Sequence, residues 1–427
     1  MTTRAVVLHP DIRDAPDGVR SPEARLDEAV GLAAALDLDI REARVEPVNR
    51  MRPGTLFGPG KIETLKEIVA GHETELVIVD GTLTPVQQRN LERAWSVKIL
   101  DRTGLILEIF GERAQTREGT LQVELAHLTY QKSRLVRSWT HLERQRGGLG
   151  FVGGPGETQI EADRRMIDGR IERIRKQLDK VVRTRGLHRK KRQKAPHPVI
   201  ALVGYTNAGK STLFNRITAG DVLAEDMLFA TLDPTMRSLA LPSGRPVILS
   251  DTVGFISDLP TQLVAAFRAT LEEVLEAELI VHVRDVSHPD SAAQKADVEE
   301  VMEALGVETR GGEAVIEVFN KIDLLGPEER AALENEAARD DRIVCVSAAT
   351  GEGVDALLAR LDTWFSRADI AGEIDLPAAD GEALAWLYRI GAVTDREDGE
   401  GHVHLALSLS AADARRFESR FGYSLGG

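Results

Sequence analysis

Short strand-like runs punctuate the first 110 residues: Ala5 to Leu8, Arg44 to Val48, Leu76 to Val79 and Val97 to Leu100 alternate with segments of helical length. That rhythm predicts a small parallel sheet whose strands are joined by helices. Gly58, Pro59, Gly60 and Lys61 predict a tight turn before a helix from about Ile62, and Thr82 to Thr84 ahead of Pro85 predicts another helix start. From Thr116 to His141 the period lengthens, with Leu121, Leu125, Leu128, Leu135 and Val136 at helical spacing. Ile167, Ile171, Ile174, Leu178 and Val181 repeat it between Ile160 and Val182. The stretch from Arg146 to Gln159 is too rich in glycine to continue either helix, so the expected form is an antiparallel helical hairpin with an exposed glycine-rich tip.

Beyond the second helix the chain turns basic, with Arg183, Arg185, Arg189, Lys190, Lys191, Arg192 and Lys194, and no acid from Lys180 to Lys194 before Pro196 and Pro198. A basic linker is expected there. Val199 to Val203 opens a second α/β series, in which Pro246 to Leu249, Leu279 to Val283, Ala314 to Phe319 and Ile343 to Val346 alternate with helical segments. This predicts a doubly wound domain ending near Ser366. After Arg367, a helix at Gly381 to Arg389, a strand at His402 to Leu409 and a helix at Ala411 to Phe421 predict a small α+β unit. The expected fold class is α/β, divided as an N-terminal α/β domain (1–112), a helical hairpin with its loop and basic linker (113–195), the doubly wound domain (196–366) and the C-terminal α+β domain (367–427).

Composition narrows the class without changing the layout. A chain of 427 residues exceeds one ordinary core, and 42% hydrophobic with 29% charged and 4% aromatic residues excludes a disordered or fibrous protein. No run of 18 apolar residues occurs, and Met1 to Asp11 lacks a charged-then-apolar signal pattern, so a cytoplasmic, monomeric chain without a membrane span is expected. Net charge of −14 argues against nucleic-acid binding over the whole surface and makes the local basic excess the relevant signal. Cys345 has no partner for an internal disulfide and reads as a core strand residue.

Chemistry concentrates in the second series. Gly204, Tyr205, Thr206, Asn207, Ala208, Gly209, Lys210, Ser211 and Thr212 fit a phosphate loop, with an apolar strand before and a helix after. In such a loop, backbone amides face the β-phosphate, Lys210 reaches the β and γ oxygens and the Ser211 hydroxyl ligates Mg²⁺. Asp251, Thr252, Val253 and Gly254 close the next apolar strand, so the carboxylate is expected to hold the magnesium through water while the Gly254 amide senses the γ-phosphate. Asn320, Lys321, Ile322 and Asp323 close another strand, where Asp323 can accept from guanine N1–H and the exocyclic amine, an edge adenine lacks. Ser347, Ala348 and Ala349 follow the next strand, with small side chains that let amides approach the guanine O6. Phe229, Ala230, Thr231, Leu232 and Asp233 supply Thr231 as the threonine expected to complete magnesium coordination, with Thr235 as the competing choice. The order and strand ends predict a GTP- and GDP-binding hydrolase using Mg²⁺, with Lys210, Thr231 and Gly254 at the reacting phosphate and Ser211 and Thr231 on the metal. Phe255 stands where many regulatory GTPases place a water-orienting glutamine. Slow intrinsic turnover is therefore expected, with the water or the developing charge organised by a partner or by another residue of the chain.

The order of the parts is distinctive. A helical hairpin carrying Gly153-Gly-Pro-Gly-Glu-Thr-Gln-Ile-Glu161, the Phe229 to Asp233 string and Asp251-Thr-Val-Gly-Phe-Ile256 together resemble the HflX family of translation-associated GTPases, as does Arg52-Pro-Gly-Thr-Leu-Phe-Gly-Pro-Gly-Lys61. The resemblance covers nearly everything up to about residue 365 and is weaker in the tail. It implies binding to the large ribosomal subunit and its RNA through the N-terminal and helical regions, with the glycine-rich loop reaching toward the peptidyl transferase centre. It also implies a role in splitting stalled or idle ribosomes or in subunit quality control.

Arg134, Arg137, Arg144, Arg146 and the run from Arg183 to Lys194 would suit RNA phosphates, or form a solvated charge run. Trp139 and His141 would stack on bases or pack inside the hairpin, and Glu157 and Gln159 would cap the second helix. His402 and His404 share one strand face without a third metal ligand. Two other classes compete: a small-molecule kinase, which has no use for Asn320 and Asp323, and an RNA-binding or ribosome-binding adaptor in which GTP binding is regulatory with little turnover, which Phe255 favours.

Overall fold

The structure, a computed structural model, describes residues 2–13, 20–145, 155–192, 197–218, 229, 235–257, 274–307, 314–367 and 369–425, with backbone only for 136–145, 155–160, 182–192 and 411–412. The first sheet comprises β1 (Arg4–Ile12), β2 (Asp39–Val48), β3 (Leu76–Val79) and β4 (Lys98–Asp101), all parallel, in the order β2-β1-β3-β4. Ala5 to Pro10 in β1 and the whole of β3 are buried, as strands covered on both faces by helices must be. Its helices have explicit starts. Ser21 caps Pro22–Ala34 by accepting from the Ala24 amide, and Thr84 and Gln87 form a reciprocal capping box on Pro85–Trp95. The helix expected from Ile62 begins at Pro59, whose fixed φ and missing N–H suit the first turn.

Helices Arg117–Gln145 and Pro155–Arg192 pack against each other as a hairpin. Three expectations are corrected here. The second helix already includes Pro155 to Gln159, and it continues through Arg192, so most of the basic run is helical rather than linker. Arg134 is engaged internally, bonding Asp101 and Gln88, and is not available to RNA phosphates. Residues 146–154 and 193–196 lie outside the described residues, as do the side chains of Arg137, Trp139, His141 and Arg144.

The second sheet has β5 (Val199–Val203), β6 (Thr235–Ala240), β7 (Pro246–Asp251), β8 (Leu279–Asp285), β9 (Val315–Asn320) and β10 (Ile343–Cys345) in the order β10-β9-β8-β5-β7-β6. All pairs are parallel except the edge pair β6 and β7. Cys345 is half-buried rather than a full core residue, with its thiol directed to the Leu333 carbonyl. The first two sheets share one apolar core, to which Phe110 from helix Arg102–Arg113, Tyr205, Phe229 and Phe255 all belong, with Phe110 against Phe229.

The third sheet is antiparallel, with β11 (Ile370–Pro377), β12 (Val393–Asp398) and β13 (His402–Leu409) in the order β11-β13-β12. Helices Gly381–Arg389 and Ala411–Phe421 accompany it, and Leu376, Leu387, Leu405 and Phe417 are fully buried at its centre. Only β13 was visible in the sequence, because it alternates buried and exposed positions; β12 is almost wholly exposed and carries no such pattern.

Candidate functional site

The carboxyl ends of β5, β7 and β9 converge on one pocket rim, as the doubly wound topology requires. After Val203 the chain turns through Gly204, Asn207 (φ 58°) and Gly209 (φ 89°) into helix Lys210–Thr218. At Gly209 a side chain would run into the Asn320 amide, so only glycine allows the loop to lie against β9. Lys210 Nζ curls back to donate to the carbonyls of Gly204 (3.1 Å) and Tyr205 (2.8 Å). Burial lowers its pKa to about 8 against the opposing pull of Asp251. Thr212 follows Ser211 in the first helical turn.

Ser211 Oγ donates to Asp251 Oδ2 at 2.7 Å, which brings two hard oxygen donors from the helix start and the end of β7 together. Thr252 anchors the segment after β7 by donating to the Leu202 carbonyl at 2.6 Å, and Val253 is buried. Gly254 lies against the loop so closely that an added Cβ would come within 2.8 Å of Thr206 Cα and 3.1 Å of Lys210 Nζ. Thr206 Oγ1 is buried with no hydrogen-bond partner among the described residues. An orphan hydroxyl beside a buried lysine, next to a hydroxyl–carboxylate pair, fits a phosphate carrying a hard cation.

Asn320 ties two loops together: its amide donates to the Ala208 carbonyl (2.7 Å) and its carbonyl accepts from the Ala348 amide (2.9 Å). Lys321 adopts φ 68° and pairs with Asp285 at 2.7 Å, Ile322 is buried, and Asp323 is exposed at the rim. Ser347 Oγ accepts from the Thr350 amide, while Arg216 binds the carbonyls of Ala348 and Ala349. Asn320 therefore orders the loop after β5 and the loop after β10, and Asp323 is left exposed. Phe229 is buried against Phe110, with ring centroids 4.6 Å apart and edge to face. Ala230, Thr231, Leu232 and Asp233 lie outside the described residues. Thr235, the competing threonine, starts β6 and is register-paired with Asp251.

Phe255 is buried in the shared core, and its backbone bridges the phosphate loop: its amide donates to the Gly204 carbonyl (3.1 Å) and its carbonyl accepts from the Thr206 amide (2.7 Å). That ring has no access to a hydrolytic water.

Sequence reasoning missed a buried polar knot joining the N-terminal sheet to the nucleotide loop. The Tyr205 hydroxyl donates to Glu28 (2.8 Å) and accepts from Arg20 (2.8 Å) and the Ser257 amide (2.7 Å), which fills its capacity. Burial and the neighbouring Glu28 raise its pKa, so it stays a phenol. Arg102 donates to Asp80 (2.7 Å), Glu28 (2.7 Å) and both the carbonyl and hydroxyl of Ser257. Burial opposes its charge, but Asp80 and Glu28 outweigh that and raise its pKa. Asp80 in turn meets His9 at 2.8 Å, and Arg20 reaches Asp297 at 2.6 Å. The one local hint was Tyr205 itself, a large polar ring where the loop needs only backbone.

A glycine-turned loop at a helix start, an aspartate facing that helix's serine, and an asparagine and aspartate at the end of β9 define a P-loop GTPase. Residues 23–111 match the family described as GTP-binding GTPase N-terminal, 113–192 the GTP-binding GTPase middle region, 199–321 the 50S ribosome-binding GTPase family and 332–425 the HflX C-terminal domain. The chain is 51% identical to GTPase HflX of Magnetococcus marinus over 92% of its length and 90% of that relative's. It is 43% identical to GTPase HflX of Escherichia coli (strain K12), covering 85% of this chain and 84% of that one. A solved GTP-binding protein of Sulfolobus solfataricus in complex with GDP is 20% identical, with TM-score 0.46 over 86% of this chain and 99% of that one. The chain belongs to the HflX family of GTPases and is a GTP hydrolase.

Proposed function

We propose that the chain binds the large (50S) ribosomal subunit and its RNA in the GTP state and leaves it after hydrolysis to GDP, acting in the cytoplasm as a monomer in ribosome splitting, rescue or quality control. The observation that carries this reading is the knot around Tyr205, Glu28, Arg102 and Ser257. The N-terminal sheet grips the phosphate loop and the residue three beyond Gly254 at once. A partner that moves the N-terminal domain therefore moves nucleotide-sensing backbone, and nucleotide state is returned to the partner with the same coupling free energy. The family described as 50S ribosome-binding GTPase, matched by residues 199–321, supports the identity of that partner. Among the described residues no helix is long and apolar enough to cross a membrane.

In this reading Lys210 and the amides of Gly209 and Gly254 hold the phosphates, while Ser211 and Asp251, with Thr231, hold Mg²⁺ directly or through water. Bound magnesium supplies charge neutralisation on the β and γ oxygens. Asp323 selects guanine, with the amides of Ser347, Ala348 and Ala349 near O6. Phe255 stands next to Gly254 in place of a water-orienting glutamine, and in this reading the ribosome organises the water and raises turnover. Buried Phe255 also supports a second reading, an RNA-binding adaptor in which GTP is a timer with little turnover.

Sucrose-gradient cosedimentation with 50S and 70S particles under GTP, GDP and a nonhydrolysable analogue tests the proposal. Retention with the analogue and release with GDP is expected, and equal sedimentation in all three states would sink it. GTP turnover with and without 50S particles separates the two readings: stimulation supports the hydrolytic cycle, and unstimulated slow turnover the timer.

A further inference from the structure

The edge strand β6 has no fully buried residue, so its register on β7 rests on the turn that joins them, closed by the Leu241 amide on the Arg245 carbonyl (2.9 Å) and the Gly244 amide on the Leu241 carbonyl (2.8 Å). That register sets what faces Asp251. Thr235 opens the strand opposite Asp251, and six consecutive pairs run from that point to Ala240 opposite Pro246. A slip of two residues, the smallest that keeps side chains on their faces, would carry Thr235 about 7 Å along the ribbon.

The far end of this ribbon is held by the C-terminal domain. Gly391 adopts φ 68°, and a Cβ there would come within 2.5 Å of the Arg245 nitrogen, 2.6 Å of the Gly244 carbonyl carbon and 2.7 Å of the Ser243 oxygen. Two backbones touch where only glycine fits. Beside this contact the Arg245 guanidinium pairs with Asp369, whose side chain is 2% exposed and which also accepts from Ser408 Oγ at 3.0 Å. Ser243 is held from within the doubly wound domain, by its amide and its hydroxyl to Asp362 on helix Val354–Ser366, both at 2.7 Å. A buried ion pair and a backbone contact on a two-stranded turn give it one position.

We propose that the C-terminal domain is a register lock for the ribbon that joins the Thr231 stretch to Asp251–Gly254, with Arg245, Asp369 and Gly391 as positioning residues that hold Thr235, four residues after Thr231, opposite Asp251 and so set the preference for GTP over GDP. The lock requires no ribosome and goes beyond the partner reading, but it rests on the assignment of Gly204 to Ser211 and Asp251 as the nucleotide site.

The test measures the affinities of the full chain for GDP and a nonhydrolysable GTP analogue with Mg²⁺, in wild type, Asp369→Arg and Gly391→Val, with Gly391→Ala replacing the valine variant should that fail to fold. The ratio of analogue to GDP affinity is expected to fall about tenfold in the single variants, within the usual range of intramolecular coupling. Two rescues follow. The charge swap Arg245→Asp with Asp369→Arg restores the pair. Ser238→Cys with Ile248→Cys, on a Cys345→Ser background, staples the ribbon itself. The Ile248 amide donates toward the β5 side, to Pro198. Ser238 and Ile248 are therefore a non-hydrogen-bonded pair about 4.5 Å apart, suited to a disulfide. Restoration by both within about twofold establishes the register mechanism. An unchanged ratio in the single variants, or restoration by the swap but not by the staple in Asp369→Arg, overturns it. A wild-type chain that binds neither nucleotide overturns the site assignment instead.

Discussion

The molecule contains one parallel and one mostly parallel sheet that end in the same kind of crevice and use it in opposite ways. In both, strand order reverses across one strand and carboxyl ends open toward a helix start, the place where doubly wound sheets take ligands. At the second sheet Gly204 and Gly209 clear the crevice, and a buried lysine stands over it with its pKa pushed down. At the first sheet His9, Asp80 and Arg102 fill it with a chain of paired polar side chains that continues into Glu28 and Tyr205. Topology creates the pocket in each case. Side chains decide whether it takes a phosphate or another domain.

The sharpest break in this comparison is Arg102→Met. It removes the cation that Asp80 and Glu28 share, leaving them His9 and Arg20, and a loss of about 3–5 kcal/mol in urea unfolding is expected, the usual cost of removing one partner of a buried pair. The matching change in the second crevice, Lys210→Ala, should act on affinity instead, weakening GTP by about 2–5 kcal/mol in titration calorimetry while leaving the nucleotide-free fold as stable or more so. Equal effects of the two substitutions on stability would erase the distinction drawn between a plugged and an open crevice.

Smaller effects sharpen it. Asp323→Asn exchanges an acceptor for a donor at the rim and should shift preference from guanine toward xanthine nucleotides by about 1.5–3 kcal/mol, read by competition against labelled GDP. Tyr205→Phe removes one hydroxyl from the join between the crevices, at a cost of about 1–3 kcal/mol in stability, with Glu28 and the Ser257 amide each losing a partner.

The smallest effect is a pH trend. Lys210 has its pKa lowered in the folded, nucleotide-free chain to about 8 from 10.5, so between those values the unfolded state binds more protons. Stability of the nucleotide-free chain should therefore rise from pH 8 toward 10.5 and stay reduced below 8, a slope that Lys210→Met removes in thermal denaturation. An identical slope in both proteins would show the lysine to be solvated.

Legibility followed the distance between partners along the chain. Residues 204–212, 251–254 and 320–323 each encode a turn between a strand and a helix within a few positions, so glycine placement and residue type already carry the geometry. The knot draws on positions 20, 28, 80, 102, 205, 257 and 297, of which only Tyr205 is unusual where it stands. Arg134 shows the converse, a residue that read as a surface cation and closes on Asp101. The exposed strand β12 was illegible because its conformation is imposed by β13.

By itself, then, the sequence determined the alternation of strands and helices, the loop from Gly204 to Ser211, the acceptor Asp323 just past β9 and the missing glutamine at Phe255, because each depends on local backbone preference or a single side-chain chemistry. Tertiary structure alone decided that Asn320 stitches two loops, that the first sheet's crevice is filled, that Tyr205 carries the N-terminal domain's grip, and that Gly391 meets the ribbon at Gly244. These depend on which distant groups are brought into one low-dielectric space, where a charge must find a partner and two backbones can touch only if one of them has no side chain.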